Sequence, residues 1–326
     1  MSQPITIRSG AAGFAGLKRV RETLKLALRS RLQHRATGAW LQLLNSHPLF
    51  HDLAKASPRL IYKIYRPYLS NTMSCVQRVE LLRQHYRHVF SLGLGPLTVR
   101  AARGAVTLGV VDGKSGLPYQ VQLRAIEPME REGELVLQLR QGDELIYGCA
   151  FSFFDGDGDG DGGMVLGIGC MQGPRGEHGL QLIKDATREL HGLRPKNLMV
   201  KLLSQIAHDH GCAQLRLVGN ANRAVCGATR QGKVHADYDA LWQEMDAQCR
   251  DDGDYQLACG PITAPDLEAI ASKKRSEARK RYETLSALSQ AVAAGLRAPR
   301  FEAVPGLPEP VVATVPESGV EQYALG

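Results

Sequence analysis

Apolar residues open the chain at the spacing of one helix face. Between Phe14 and Gln33, Leu17, Val20, Leu24, Leu28 and Leu32 fall three or four positions apart, while Lys18, Arg21, Lys25 and Arg29 occupy other faces. That pattern predicts a basic amphipathic helix. Farther on, LIYKIYRPYLS (residues 60–70) interleaves three tyrosines with Lys63 and Arg66, a mixture that suits aromatic rings at lipid headgroup level and cations at lipid phosphates. The plainer alternative for both segments is a helical region whose basic face is solvated.

From Val106 the period changes from that of a helix to that of a strand. VTLGVV, PYQVQLRAI, ELVLQLRQ, ELIYGCAFSFF and MVLGIGCM alternate or run apolar, with turns such as DGKSG and RQGD between them, and predict an antiparallel meander. Helical periodicity returns at Gly176 to Leu190, with Leu180, Ile183, Thr187 and Leu190 on the expected buried stripe. A second helix starts at Pro195, whose missing N–H has no partner to lose in a first turn, and buries Leu198, Met199, Leu202, Leu203 and Ile206. QLRLVG then reads as a strand, DYDALWQEM as a short helix, DYQLACG as a strand, and the segment from Ser272 as a closing basic helix with Ala278, Tyr282, Leu285 and Leu288 inward. The fold class is therefore α+β. It comprises a basic helical N-terminal region (1–100), a mixed and mostly antiparallel sheet with flanking helices (101–297), and a proline-rich tail (298–326) expected to be disordered.

Composition sharpens this picture in two ways. Seven cysteines without a CxxC pair suit reduced thiols and a cytoplasmic location, and no run is long and apolar enough for a secretory signal or a membrane span. The net charge of +7 is unevenly spread: residues 1–100 carry 16 Lys and Arg against 3 acids, whereas residues 101–272 carry 16 against 24. Such a basic end points to a polyanionic partner, for which an anionic membrane surface on the inner membrane is the expectation. Nucleic acid is not expected, because no helix-turn-helix, zinc-finger or aromatic RNP pattern accompanies the charge.

The stretch FFDGDGDGDGGMVLG sets Asp155, Asp157, Asp159 and Asp161 at every second position. A helix-loop-helix calcium site needs a bidentate carboxylate at its twelfth position, which is Leu166 counted from Asp155 and Ile168 counted from Asp157. The reading is an acidic hairpin tip rather than a calcium loop.

Two clusters could carry chemistry. Arg194 and Lys196 bracket Pro195 at a helix start, where the backbone N–H groups of Asn197 and Leu198 would face an anion, so these four residues form a candidate phosphate cradle. Downstream, His235, Asp237 and Tyr238 form a candidate catalytic cluster, with Asp239 on the same face of an extended segment as His235 and Asp237. The alternative is that Asp237 caps the following helix. One histidine and two carboxylates are poor zinc ligands, and no metal is assigned.

The strings GIGCMQGPRGEHGLQLIKDATRELHGLRPKNLMV, VHADYDALW and SKKRSEARKRY, with YKIYRPYL before them, resemble the VirK/YbjX family of bacterial proteins over about residues 40–295. The resemblance implies an envelope and virulence association that includes resistance to antimicrobial peptides, and it carries no established catalytic residue. The order of elements is also similar to that of acetyl-CoA-dependent N-acetyltransferases. That likeness implies an acyl-CoA or other acyl carrier at the Pro195 helix, although the usual Q/R-x-x-G-x-G/A loop is absent there. Two functions remain open: an acyltransferase-like enzyme at the cytoplasmic membrane face, or a non-catalytic protein that binds a membrane surface or a partner through a degenerate version of the same fold.

Overall fold

A computed structural model describes residues 3–156, 163–225 and 236–297. Asp157, Asp159, Asp161, His235 and the tail 298–326 lie outside them.

The N-terminal region is helical throughout: α1 (Gly16–Leu32), α2 (His34–Leu44), α3 (Pro48–Ala56), a 3-10 turn over Pro58–Tyr65, α4 (Cys75–Ser91) and α5 (Gly95–Arg103). Sequence cues place these ends. Ser74 and Gln77 cap α4 reciprocally, and proline stands in the first turn of α3 and α5. Strands β1 (Val106–Asp112), β2 (Pro118–Ala125), β3 (Leu135–Gln141), β4 (Glu144–Asp155) and β5 (Met164–Gln172) follow as the expected meander. Then come α6 (Gly176–Glu189), α7 (Pro195–Asp209), β6 (Gln214–Leu217), α8 (Tyr238–Glu244), β7 (Gln248–Cys249), β8 (Tyr255–Ala258) and α9 (Ser272–Arg297).

Among the described residues, eight strands join one sheet in the order β1-β2-β3-β4-β5-β6-β8-β7. Only β5 and β6 run parallel, because α6 and α7 carry the chain across between them; the other pairs are antiparallel. The arrangement is the α+β one expected. The β4–β5 hairpin brings Asp155 opposite Met164, so the Asp-Gly repeat is entered from a strand rather than from a calcium-site helix.

Helices cover the sheet closely. On β1, α9 packs so tightly that a Cβ at Gly295 would stand 2.4 Å from the Leu108 carbonyl oxygen, which only glycine permits. From the other end of the chain, Trp40, Phe50, Tyr86 and Phe90 join Phe151, Phe153 and Leu137 in one apolar cluster, so the helices of residues 1–100 and the sheet share a core.

One N-terminal expectation is corrected here. In the segment 60–70, Leu60, Ile61, Tyr62, Lys63, Ile64 and Tyr68 are buried, and the Tyr65 hydroxyl pairs with that of Thr37 at 2.7 Å. Lys63 reaches inward to the carboxylate of Glu134, which also accepts from the Tyr86 hydroxyl. A short helical turn with apolar residues nearly all round, and an acid waiting for its one inward cation, belongs to the core. Tyr62, Lys63 and Tyr68 therefore face the core and not a lipid headgroup.

Candidate functional site

The candidate cradle sits where α7 begins, and the chain itself occupies most of it. Asn197 N–H and Leu198 N–H both donate to the Arg194 carbonyl at 3.0 Å, and Pro195 has no N–H to offer. Leu198 is fully buried in the core. The cations are engaged as well: Arg194 donates to Glu244 Oε1 at 2.8 Å and Lys196 to Glu244 Oε2. With the Lys196 ammonium, and behind it Arg194, beside it, the Glu244 carboxyl is held below the usual carboxylate range. The remaining orphan, Asn197 Oδ1, is a buried acceptor without a partner, which repels an anion. These residues do not fit the pyrophosphate of an acyl-CoA, and no step is derived through that group.

The second cluster is separated from the first by the length of α8, seven residues or about 10 Å. Asp237 is the N-cap of that helix. Its carboxylate accepts from Ala240 N–H at 3.1 Å and from Asn220 Nδ2 at 2.7 Å, and the Ala240 bond, followed by that of Asn220, lowers its pKa. Asn220 completes the turn by accepting from Tyr238 N–H at 2.9 Å.

Tyr238 turns inward instead of facing a substrate. Its hydroxyl donates to the Met171 carbonyl at 3.0 Å and accepts from Met171 N–H at 2.8 Å, while Arg223 lies over its ring with the guanidinium carbon 3.9 Å from the centroid. The reason lies in the sheet: the β5–β6 ladder stops at Ile168 and Leu217, so the backbone groups of Met171 have no strand partner on that side. Burial, in front of every other cause, pushes the Tyr238 hydroxyl well above its ordinary pKa. A phenol so held satisfies the backbone of β5 beyond the end of the β5–β6 ladder. With His235 outside the described residues, the structure brings Asp237 and Tyr238 together as a cap and a partner of the β5 backbone.

Among the described residues, no group of three or more His, Cys, Asp or Glu is placed to hold a metal ion.

Sequence reasoning missed two features. Glu244 stands 50 positions from Arg194, beyond the reach of any local pattern. The other is the surface of α1. Leu17, Val20, Leu24, Leu28 and Leu32 form a single stripe between 56 and 89% exposed, whereas Leu26, half a helical turn away, is the apolar residue that α1 buries, with Glu22 beside it. Leu26 anchors the helix by packing into Gly10, Ile61 and Tyr62, where a Cβ on Gly10 would stand 3.1 Å from its Cδ1. The apolar stripe therefore points away from the body of the protein. Arg21 and Arg31 fall among these residues and Lys18, Lys25 and Arg29 border them on one side, with Glu22 as the sole acid of the helix. The spacing of the stripe was legible in the sequence, but its direction was not.

The comparisons with known proteins agree with the sequence motifs. Residues 15–294 match the family described as "Protein of unknown function (DUF535)". The chain is 30% identical over 285 residues to the "Uncharacterized protein YbjX" of Escherichia coli K12, covering 84% of this chain and 83% of that one. It is 28% identical over 212 residues to the "Membrane protein LapB" of Mannheimia haemolytica, covering 63% of this chain and 84% of that one. Among solved structures, it is similar to a cAMP-binding acyltransferase from Mycobacterium smegmatis, with a TM-score of 0.27 and 11% identity over 68% of this chain and 63% of that one, too distant to carry an argument about activity. With most of its length matched, and the segments from YKIYRPYL to SKKRSEARKRY inside the match, this chain belongs to the DUF535 family of YbjX-like proteins.

Proposed function

We propose that this protein is an envelope-associated, non-catalytic peripheral protein of the cytoplasmic membrane face, bound to anionic lipid through α1. The observation that carries this reading is the exposed stripe of Leu17, Val20, Leu24, Leu28 and Leu32 with cations among and beside them. A helix of this kind lies in the plane of the interface, with apolar side chains below the headgroups and Lys and Arg at the phosphates. The name of the Mannheimia relative, a membrane protein, favours the same setting, as do the unpaired cysteines among the described residues. No described helix is long and apolar enough to cross a membrane, so attachment by a helix would be at the surface. An acyl-transfer function lacks such support, since Arg194, Lys196, Asp237 and Tyr238, four of the residues expected to serve it, have other partners.

The test is sedimentation with vesicles of phosphatidylglycerol and phosphatidylcholine against vesicles of phosphatidylcholine alone. The parent should bind the anionic vesicles, and less so as salt rises, because the attraction is screened over about 10 Å at 0.1 M. Leu24→Glu with Leu28→Glu should weaken binding at least about tenfold, each leucine contributing roughly 1.5–3 kcal/mol when fully buried. Equal binding of parent and variant, or of the two vesicle types, overturns the reading.

A further inference from the structure

The face of α6 that the sequence assigns to the core is only partly covered. Leu190 is buried, but Leu180 is 59% exposed and Ile183 is half-buried. Against Ile183 and Thr187 of this stripe lies a cavity of about 450 Å³ between β4, α6 and the start of α7. Its walls include Tyr147, Ile183, Thr187 and Pro195, together with Lys184, Arg194 and Lys196. The Tyr147 ring and Ile183 converge over Gly173, where a Cβ would stand 3.1 Å from each, so the chain is already as close as it can pack there. An amphipathic helix that turns its apolar stripe toward a void leaves apolar surface for a ligand to cover.

The charges select the ligand. Three cations line this cavity, and Glu244 engages two of them, Arg194 and Lys196. Lys184 has no carboxylate partner among the described residues; the nearby Asp185 is taken by Arg188. The balance at the cavity is positive over an apolar interior. A nucleotide finds no aromatic sandwich among the residues that line this cavity, and the backbone donors of Asn197 and Leu198 are used.

We propose that the α6–α7 cavity binds a single-chain anionic amphiphile, an aliphatic chain ending in a phosphate or a carboxylate. The chain lies along Ile183, Thr187 and the Tyr147 ring, with Leu180 extending the apolar path outward. The anionic head meets Lys184, the lining cation that Glu244 leaves unengaged. This site is separate from the membrane contact of α1, and neither depends on the other.

Calorimetry with monomeric dodecyl phosphate, dodecanoate, uncharged monododecanoylglycerol and inorganic phosphate tests it. Either or both of the charged amphiphiles should bind, which identifies the head group, while the uncharged analogue binds more weakly and inorganic phosphate gives no heat. Ile183→Trp fills the cavity, and exclusion of two methylenes implies a loss of about tenfold. Lys184→Gln, an exposed change that leaves the fold intact, should weaken the charged amphiphiles roughly threefold and the uncharged one not at all. Leu24→Glu with Leu28→Glu should leave this binding unchanged while weakening vesicle binding, so failure at one site is distinguishable from failure at the other. No binding of either charged amphiphile by the parent, equal binding of the uncharged analogue, or an unchanged affinity in Lys184→Gln overturns the proposal.

Discussion

Two stretches of the N-terminal region, α1 and the turn at residues 58–65, look alike in sequence and end in opposite environments. Both set leucine, isoleucine or valine among lysines and arginines, yet α1 turns its apolar stripe to solvent and the turn is swallowed by the core. The difference is the partner. Lys63 meets Glu134 inside the protein, where its ammonium also lies 4.9 Å from the centroid of the Tyr68 ring, whereas Lys18 and Arg21 keep to the surface and Glu22 serves Lys25 at 3.0 Å. A cation is compatible with burial when the fold supplies an anion at the right place.

The comparison breaks most visibly if the buried pair is cut. Lys63→Met leaves the Glu134 carboxylate in the core without its cation, the Tyr86 hydroxyl still donating to it, and should cost about 3–5 kcal/mol in urea unfolding. Adding Glu134→Gln removes the stranded charge, keeps an acceptor for Tyr86, and should recover much of that loss. Lys18→Met on α1 should stay within about 0.5 kcal/mol of the parent. A Lys63→Met protein as stable as the Lys18→Met one would remove the distinction between the two regions.

Acid should act on the same side of the comparison. His85, fully buried beside the Lys63–Glu134 pair, has its pKa lowered to about 3 by burial, with Lys63 and His88 adding to the shift and Glu134 opposing it. His88 is lowered to about 4 by burial and by neighbouring His210. The unfolded chain therefore binds protons that the folded one refuses, and stability falls as pH drops below about 6.5 toward these values. For the two histidines together the loss between pH 6.5 and pH 5 is about 3 kcal/mol. His85→Phe should flatten the profile, whereas charge changes on α1 should not.

The smallest effect on stability is expected from the exposed stripe. Leu28→Gln should change unfolding free energy by no more than about 0.5 kcal/mol, because the residue covers little in the folded protein. A loss of 2 kcal/mol or more in thermal or urea unfolding would mean that α1 packs against the protein in solution and has no free face to offer.

The candidate sites were legible to different depths. Asp237 as a cap was readable from one residue and the helix after it, because capping is a local matter settled within three positions. The cradle at Arg194 and Lys196 was readable as a basic helix start, but Glu244, the residue that occupies it, comes from a different helix. Tyr238 sat in a plausible motif, while its role depends on where the β5–β6 ladder ends.

The sequence by itself determined the elements and their order: the period of apolar residues marked α1, the meander, α6, α7 and α9, because helix and strand repeat on scales of 3.6 and 2 residues that a short window contains. It also carried the family motifs. Only the tertiary structure decided which apolar faces are covered. That choice sent Leu26 inward and Leu24 outward on one helix, gave Lys63 its Glu134, and left the α6 stripe over a cavity. The physical reason is that periodicity fixes where a side chain lies on its own element, whereas burial and charge pairing depend on surfaces brought together from far along the chain.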